Sequence, residues 1–281
     1  MRKRFLIILM FYSFISSASN WQTDFATAQR IALATNRFIL IDFWASWCGP
    51  CKQMDMDTWS NQEVNLLTED FVMLKIDIDA NRELASMYSI TSIPNMFIID
   101  ANGKKLISFS GYKSPSQLKN EVKNHLLSTE FIANELINVY KKADFRTLTS
   151  LIIKYYDYSL YVGKEASKDV VFLNREYLRD IKKKLNKKDA NYIEQIQKVE
   201  LLNLYEMAYL KKFDKLEKKL NEKFKDEAQV LFTNELSYNF LKYLVLKGNN
   251  RPELLQFEEK LRNSDFSFII DKANRLITTQ S

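Results

Sequence analysis

Two cysteines, Cys48 and Cys51, are the whole thiol complement of this 281-residue chain, and they stand three positions apart. Cysteines scattered at random rarely fall at that spacing, so the pair reads as one functional unit. The segment that delivers it, residues 38–44 (FILIDFW), is a near-continuous apolar run, as expected of a strand covered on both faces. It feeds directly into Trp47-Cys48-Gly49-Pro50-Cys51-Lys52. Thiols at i and i+3 of a helix start lie on one face, close enough to close into a small disulfide ring. Such a ring can open and close without refolding the protein, which points to disulfide exchange. The same count excludes two other classes. A small disulfide scaffold needs more cysteines, and a structural zinc site needs more cysteines and histidines than two cysteines and His125 provide.

The chain begins with Arg2, Lys3 and Arg4, followed by an apolar stretch over 5–15 and the small residues Ser16 to Ser19. Basic, apolar, small is the order of a secretory signal peptide, so residues 1–19 are expected to be a cleaved signal, with an uncleaved anchor as the alternative. The apolar part is shorter than the ~18–20 residues a spanning helix needs, and no later segment is long and apolar enough, so no membrane span is expected after cleavage. Export would place the protein in the periplasm or outside the cell. There stray thiols are a liability, which fits a chain that keeps only one pair. The formal charge of +6 raises the question of nucleic acid. Lysines alternate with acids through the second half, which describes a solvated helical surface, and the densest basic run, Lys182-Lys183-Lys184 with Lys187-Lys188, carries no nucleic-acid motif. No nucleic-acid partner is expected.

Asp24 is placed to cap a helix running toward Asn36. After the 38–44 strand and a helix toward Trp59, the pattern predicts a strand over 71–78, a short helix over 80–88, a strand over 95–100, a tight turn at Asn102-Gly103 and a returning strand over 104–110. Ser114 before Pro115 opens a last helix with Leu118, Val122 and Leu126 four apart. This order predicts a central mixed sheet with helices on both faces, and the cysteine pair at the C-terminal end of a strand, where α/β sheets place ligands. From about Ser128 strand patterns vanish. Amphipathic stretches over 131–140, 148–156, 170–185, 192–213, 231–246 and 254–261 predict an all-α region, broken at Gly248-Asn249-Asn250 and Pro252. Residues 204–220 look like one tetratricopeptide helix pair, but no second copy follows at that family's period of about 34 residues. The expected division is a signal at 1–19, an α/β unit at 20–127 and a helical domain at 128–281, of unassigned role.

The residues Ile41-Asp42-Phe43-Trp44-Ala45-Ser46-Trp47-Cys48-Gly49-Pro50-Cys51-Lys52 closely resemble the active-site signature of the thioredoxin superfamily. Thr91-Ser92-Ile93-Pro94 is similar to that family's cis-proline loop, and Lys75 and Ser110-Gly111-Tyr112 match further landmarks. The stretch from Lys52 to Val64 resembles the periplasmic thioredoxin-like domains of the thiol:disulfide interchange type. The resemblance covers about residues 20–127 and says nothing about 128–281. It implies the α/β thioredoxin fold and a protein-disulfide oxidoreductase that needs no cofactor, acts on protein disulfides and, if it is a reductase outside the cytoplasm, draws electrons from a membrane donor. It further implies that Asp42 accepts a proton from Cys51 and that the Pro94 loop pairs with an extended substrate.

The chemistry of the residues leads the same way. Cys48, at a helix N-terminus, is the expected exposed nucleophile, with Cys51 the more deeply buried resolving thiol. The helix dipole supplies ~0.3–1 kcal/mol, at most ~2, so Cys48 is expected to be mildly acidic to neutral in its reduced form. Asp42, flanked by Ile41 and Phe43, is expected to be buried with a raised pKa. Lys75 is either its partner on the neighbouring strand or an ordinary surface lysine. An Ile93–Pro94 cis bond would cost only ~0.5–1 kcal/mol. Pro50 stiffens the helix start beside Gly49, and Trp47 is either an apolar contact for substrate or a core residue. Trp44 and Trp59 are expected in the core and His125 at the surface. The Gly-Pro spacer and Ile93 before Pro94 resemble the reducing branch of the thioredoxin superfamily, and this resemblance implies disulfide reduction. Oxidase or isomerase activity, and a client-binding or chaperone role for the helical half, remain alternatives. Tyr155, Tyr156, Tyr158 and Tyr161 are the aromatic cluster that such a contact surface could use, though their helical spacing fits a core better.

Overall fold

The computed structural model describes residues 21–279, with the side chains of Leu67 and Thr68 excepted. The expected signal segment lies outside the described residues. Five strands form one sheet: β1 (Trp21–Gln22), β2 (Phe38–Trp44), β3 (Phe71–Asp77), β4 (Asn95–Ile99) and β5 (Lys105–Ser110), in the order β1-β3-β2-β4-β5. β3 runs parallel to β1 and β2, whereas β4 runs antiparallel to both β2 and β5. The sheet is therefore mixed, as the order of apolar runs requires. The two-residue strand β1 was not legible, because two residues carry no alternation.

β2 occupies the centre, which explains its unbroken apolar character. Phe38 and Leu40 face one side, packed with Met54, Trp59, Phe71, Met73, Leu118 and Val122. Ile39, Ile41 and Phe43 face the other, against Ala28 and Ala32 of helix α1 (Phe25–Thr35). α1 starts at Asp24, whose carboxylate accepts from the Thr27 N–H, and ends at Asn36 in the left-handed conformation (φ 54°). Helix α2 (Gly49–Met54) continues into one π-helical turn, Asp55–Trp59, rather than running as one α-helix to Trp59. Helices α3 (Gln62–Thr68), α4 (Arg82–Met87) and α5 (Pro115–Val122) complete this unit; α4 is shorter than the residues 80–88 expected, and a Ser114–Gln117 capping box opens α5.

The rest is helical: α6 (Ala133–Lys141), α7 (Phe145–Tyr158), α8 (Lys164–Lys184), α9 (Tyr192–Tyr209), α10 (Phe213–Lys223), α11 (Glu235–Gly248), α12 (Leu254–Arg262) and α13 (Phe268–Thr278). The stretch 192–213 divides into α9 and α10 at Lys211, which adopts φ 53° with no glycine or proline to signal the break. α13 was not foreseen. At the end of α11, a Cβ on Gly248 would fall 2.3 Å from the Phe213 ring, so close approach to the start of α10 demands glycine there.

The helices fold back onto the sheet. One continuous apolar cluster runs from Phe38 through Leu136, Tyr155 and Tyr177 to Leu276. The junction is also polar. Thr129 N–H donates to the Asn36 carbonyl (2.8 Å), Tyr158 hydroxyl to the Ser128 carbonyl (2.8 Å), and Lys104 pairs with Asp180 of α8. His125, expected at the surface, is 6% exposed, with Nε2 2.8 Å from Asp169 Oδ2. α8 covers it, a tertiary effect that its own helix face cannot report. Tyr155, Tyr156 and Tyr158 are likewise core, while Tyr161 remains exposed.

Candidate active site

The helical half docks around the Asn102-Gly103 hairpin, the start of β2 and the end of α5. The cysteine pair sits at the opposite end of β2. Trp44 closes that strand, and the chain turns through Ala45 and Ser46 before entering α2. Cys48 occupies the N-cap of α2, so the Cys51 N–H points at its sulfur (3.1 Å). The two sulfurs form a disulfide across a Cα–Cα separation of 5.3 Å. An amide directed at Sγ and the positive end of a helix both favour the thiolate once the bond is reduced.

Accessibility differs from expectation. Cys48 is 4% exposed and Cys51 3%, so in the disulfide form neither residue stands out as the open one. Both pack with Ala45 against Trp44, Ile78 and Ile93. The exposed neighbours are Trp47, Gly49 and Pro50. Trp47 is 65% exposed and is no core residue; its indole N–H donates to Asp79 Oδ2 (2.8 Å), which holds the ring at the surface beside the disulfide. Asp79 carried no sequence signal for this role. Of the other tryptophans, Trp59 is buried and Trp44 half-buried.

The Ile93–Pro94 peptide bond is cis. Ile93 is half-buried against the cysteines, Pro94 is buried, and the Pro94 carbonyl accepts from the Gly111 N–H (2.8 Å). Gly111 has φ 75°, which explains a glycine in that turn.

Asp42 is 2% exposed on the central strand, and its Oδ1 has no hydrogen-bond partner among the described residues. Burial pushes its carboxyl up to about 7; the Lys75 charge opposes this and the Asp55 carboxylate adds to it. Lys75 stands in register with Asp42 across β2 and β3. It is neither Asp42's hydrogen-bond partner nor an ordinary surface lysine. Its ammonium pairs with Asp55 of the π-turn and lies 4.8 Å from the Trp44 ring centroid. Asp55, whose side chain is 37% exposed against 2% for Asp42, is the better-hydrated carboxylate. Asp55 was missed by sequence reasoning, since its partner depends on the π-turn geometry.

A thiol pair able to close, a helix end aimed at one sulfur and a nearly neutral buried carboxyl are the parts that disulfide exchange requires. Comparison with known proteins agrees. The thioredoxin family model matches residues 18–124. Thioredoxin-1 of Drosophila yakuba is 39% identical over 89 residues, 32% of this chain and 78% of that protein. Thioredoxin of Bacillus subtilis is 34% identical over 107 residues, 36% of this chain and 95% of that one. The chain belongs to the thioredoxin family. The C-terminal domain of Neisseria meningitidis DsbD in its oxidised form is similar at 22% identity and a TM-score of 0.31, over 35% of this chain and 87% of that domain. The family model and the two thioredoxin relatives support a thiol-disulfide oxidoreductase. Each of them covers less than half of the chain, and the thioredoxin family model stops before the helical region. Among the described residues no helix is long and apolar enough to cross a membrane, and no cluster of three or more potential metal ligands occurs.

Proposed function

We propose that the protein is an exported thiol-disulfide oxidoreductase that reduces protein disulfides through Cys48 and Cys51. The Cys48 thiolate attacks one sulfur of a client disulfide, forming a mixed disulfide and releasing the client's other sulfur as a thiolate. Cys51 then gives its proton to Asp42 and attacks the Cys48 sulfur. The Cys48–Cys51 bond forms, and the second client thiol leaves. Each turnover leaves the protein oxidised, so two electrons and two protons must come from a donor, which for an exported protein means a membrane dithiol system. The observation that carries this reading is the disulfide at a helix N-terminus together with a buried carboxyl of pKa about 7, a value suited to accepting a proton near neutral pH.

In this reading Trp47, Gly49, Pro50, Ile93 and Pro94 form the surface that meets the extended client, and Lys75 with Asp55 sets the charge around Asp42. Export is supported by the basic, apolar and small order of residues 2–19. Residues 20–127 act as the redox unit and 128–281 as a helical module fixed to the end of the sheet away from the thiols.

A Cys51→Ser protein incubated with a disulfide-bonded client should accumulate a mixed disulfide at Cys48, visible on a non-reducing gel and absent from Cys48→Ser. If Cys51→Ser captures nothing while the unaltered protein turns over, the order of attack is wrong. The reduction potential, measured against a glutathione buffer, should lie below that of glutathione; a value well above it would replace reduction by oxidation or isomerisation.

A further inference from the structure

The helical half carries a groove that disulfide exchange does not use. The end of α8, the face of α9 and the C-terminal part of α10 enclose about 420 Å³, within the range of binding pockets. Leu185, Ile196, Leu204 and Met207 form an apolar floor, and only Leu204 among them is fully buried. Three lysines stand around it, Lys182, Lys219 and Lys223, against a single lining carboxylate, Glu200. Glu200 is already engaged by Lys223 (2.8 Å), and Lys219 pairs with Glu222 on its own helix. Lys182 opens the run that continues to Lys188 without an acidic residue. With those two pairs set off, the rim keeps an excess of one positive charge, carried by Lys182, over an apolar floor.

We propose that this groove docks an amphipathic, acidic segment of another protein, its apolar side chains seated on the floor and its carboxylates meeting Lys182 and Lys219. Charge complementarity selects acidic flanks. The concave shape between three helices suits a helix or extended strip better than the flat surface of a membrane. Because the groove lies in the helical region and not among the residues around the disulfide, its occupant can be held while the thiols remain free. The proposal is independent of the direction of the redox reaction.

The test uses the full chain and a fluorescein-labelled synthetic peptide with leucines at i, i+3, i+4 and i+7 and glutamates elsewhere. Two control peptides replace the leucines by serine or the glutamates by lysine, and phosphatidylglycerol vesicles form a fourth arm. The leucine–glutamate peptide should bind at least about tenfold more tightly than either control. The double variant Lys182→Glu/Lys219→Glu should lose at least about tenfold of that affinity while reducing a small disulfide at the unaltered rate. With methyl-labelled methionine, the peptide should move the Met207 resonance and leave Met54 in place, a readout on the unaltered chain that needs no variant. Equal binding of the serine control, binding of the lysine control, binding of vesicles alone, no binding at all, or an unmoved Met207 signal each overturns the proposal.

Discussion

Two aspartates, Asp42 and Asp100, are buried at opposite ends of the same sheet and have been given opposite surroundings. Asp42 lies near the disulfide end of β2, with one oxygen unpartnered and a carboxyl pushed up to about 7 by burial. Asp100 follows β4 at the hairpin and is also completely buried, but its carboxylate accepts four hydrogen bonds. Oδ1 takes the Asn102 and Lys104 N–H groups, both at 2.9 Å, and Oδ2 takes the hydroxyls of Tyr155 (2.8 Å) and Tyr177 (2.5 Å). Burial is the dominant influence and raises the Asp100 carboxyl too, although those four donors oppose the rise. A buried carboxyl that has partners fastens structure, here the hairpin to α7 and α8. One left short of partners holds a proton that can move. The contrast separates the end of the sheet that must stay fixed from the end where chemistry is expected.

The largest effect should come from breaking the fastened end. Asp100→Ala strands two buried tyrosine hydroxyls and two turn N–H groups, and should cost about 3–5 kcal/mol in chemical unfolding. A loss below about 1 kcal/mol would show that the hairpin and the helices are not joined through this carboxylate. Asp42→Asn should do the reverse. The folded carboxyl binds its proton near pH 7 and the unfolded one near 3.8. The folded state therefore takes up protons between those values, and the ionised group destabilises it fully only above about pH 7. Removing the group should stabilise the protein at pH 8 by up to about 4 kcal/mol, at about 1.36 kcal/mol per pH unit, and the gain should vanish below about pH 4. The same variant should slow release of the mixed disulfide at neutral pH by about 10²-fold, the low end for a lost proton acceptor. Unchanged release would assign Asp42 a purely structural part.

Much of the disulfide end could be read from the chain. An unbroken apolar run, two cysteines three apart, Asp42 between Ile41 and Phe43, and the residue pair Ile93-Pro94 are all local signals, and each strand the run pattern marks is present. What escaped depends on contacts between distant segments. His125 sits on a polar helix face and is buried only because α8 crosses it. Lys75 pairs with Asp55 at the start of a π-turn, and nothing in the spacing of 52–59 marks one. The break at Lys211 and the hydrogen bonds of Tyr155 and Tyr177 to Asp100 belong to the same class, whereas the burial of Tyr155 itself follows from its helical spacing. The helical half gave its elements through periodicity but not its docking, since amphipathic stripes state that a face is covered without stating by what.

Smaller changes sharpen the comparison at each end. Tyr155→Phe and Tyr177→Phe each remove one donor from the Asp100 carboxyl and should cost about 0.5–1.5 kcal/mol; their double variant should fall short of the Asp100→Ala loss, because the turn N–H groups stay satisfied. Lys75→Met removes the cation that holds the Asp42 carboxyl down and leaves the Asp55 carboxylate unneutralised. The titration of Asp42, followed by carbon-13 NMR of its carboxyl, should therefore move upward, by about one pH unit, with the pH profile of mixed-disulfide release moving with it. A downward or absent movement would remove Lys75 from the account of the site.

The smallest change in stability should come from Trp47→Ala. The indole is largely exposed and makes one surface hydrogen bond to Asp79, so unfolding should change by no more than about 0.5 kcal/mol. An exposed tryptophan held in place beside a disulfide is nevertheless an apolar platform, and the reading of the site assigns it to client contact. KM for a protein disulfide should then rise in Trp47→Ala, while the rate with a small dithiol or disulfide, too small to span the platform, stays the same. Asp79→Asn, which keeps a hydrogen-bond acceptor for the indole, should keep the KM of the unaltered protein. If Trp47→Ala slows both kinds of substrate equally, the ring acts on the Cys48 sulfur itself rather than on the client, and the division of the site into a sulfur centre and a surrounding client surface has to be redrawn.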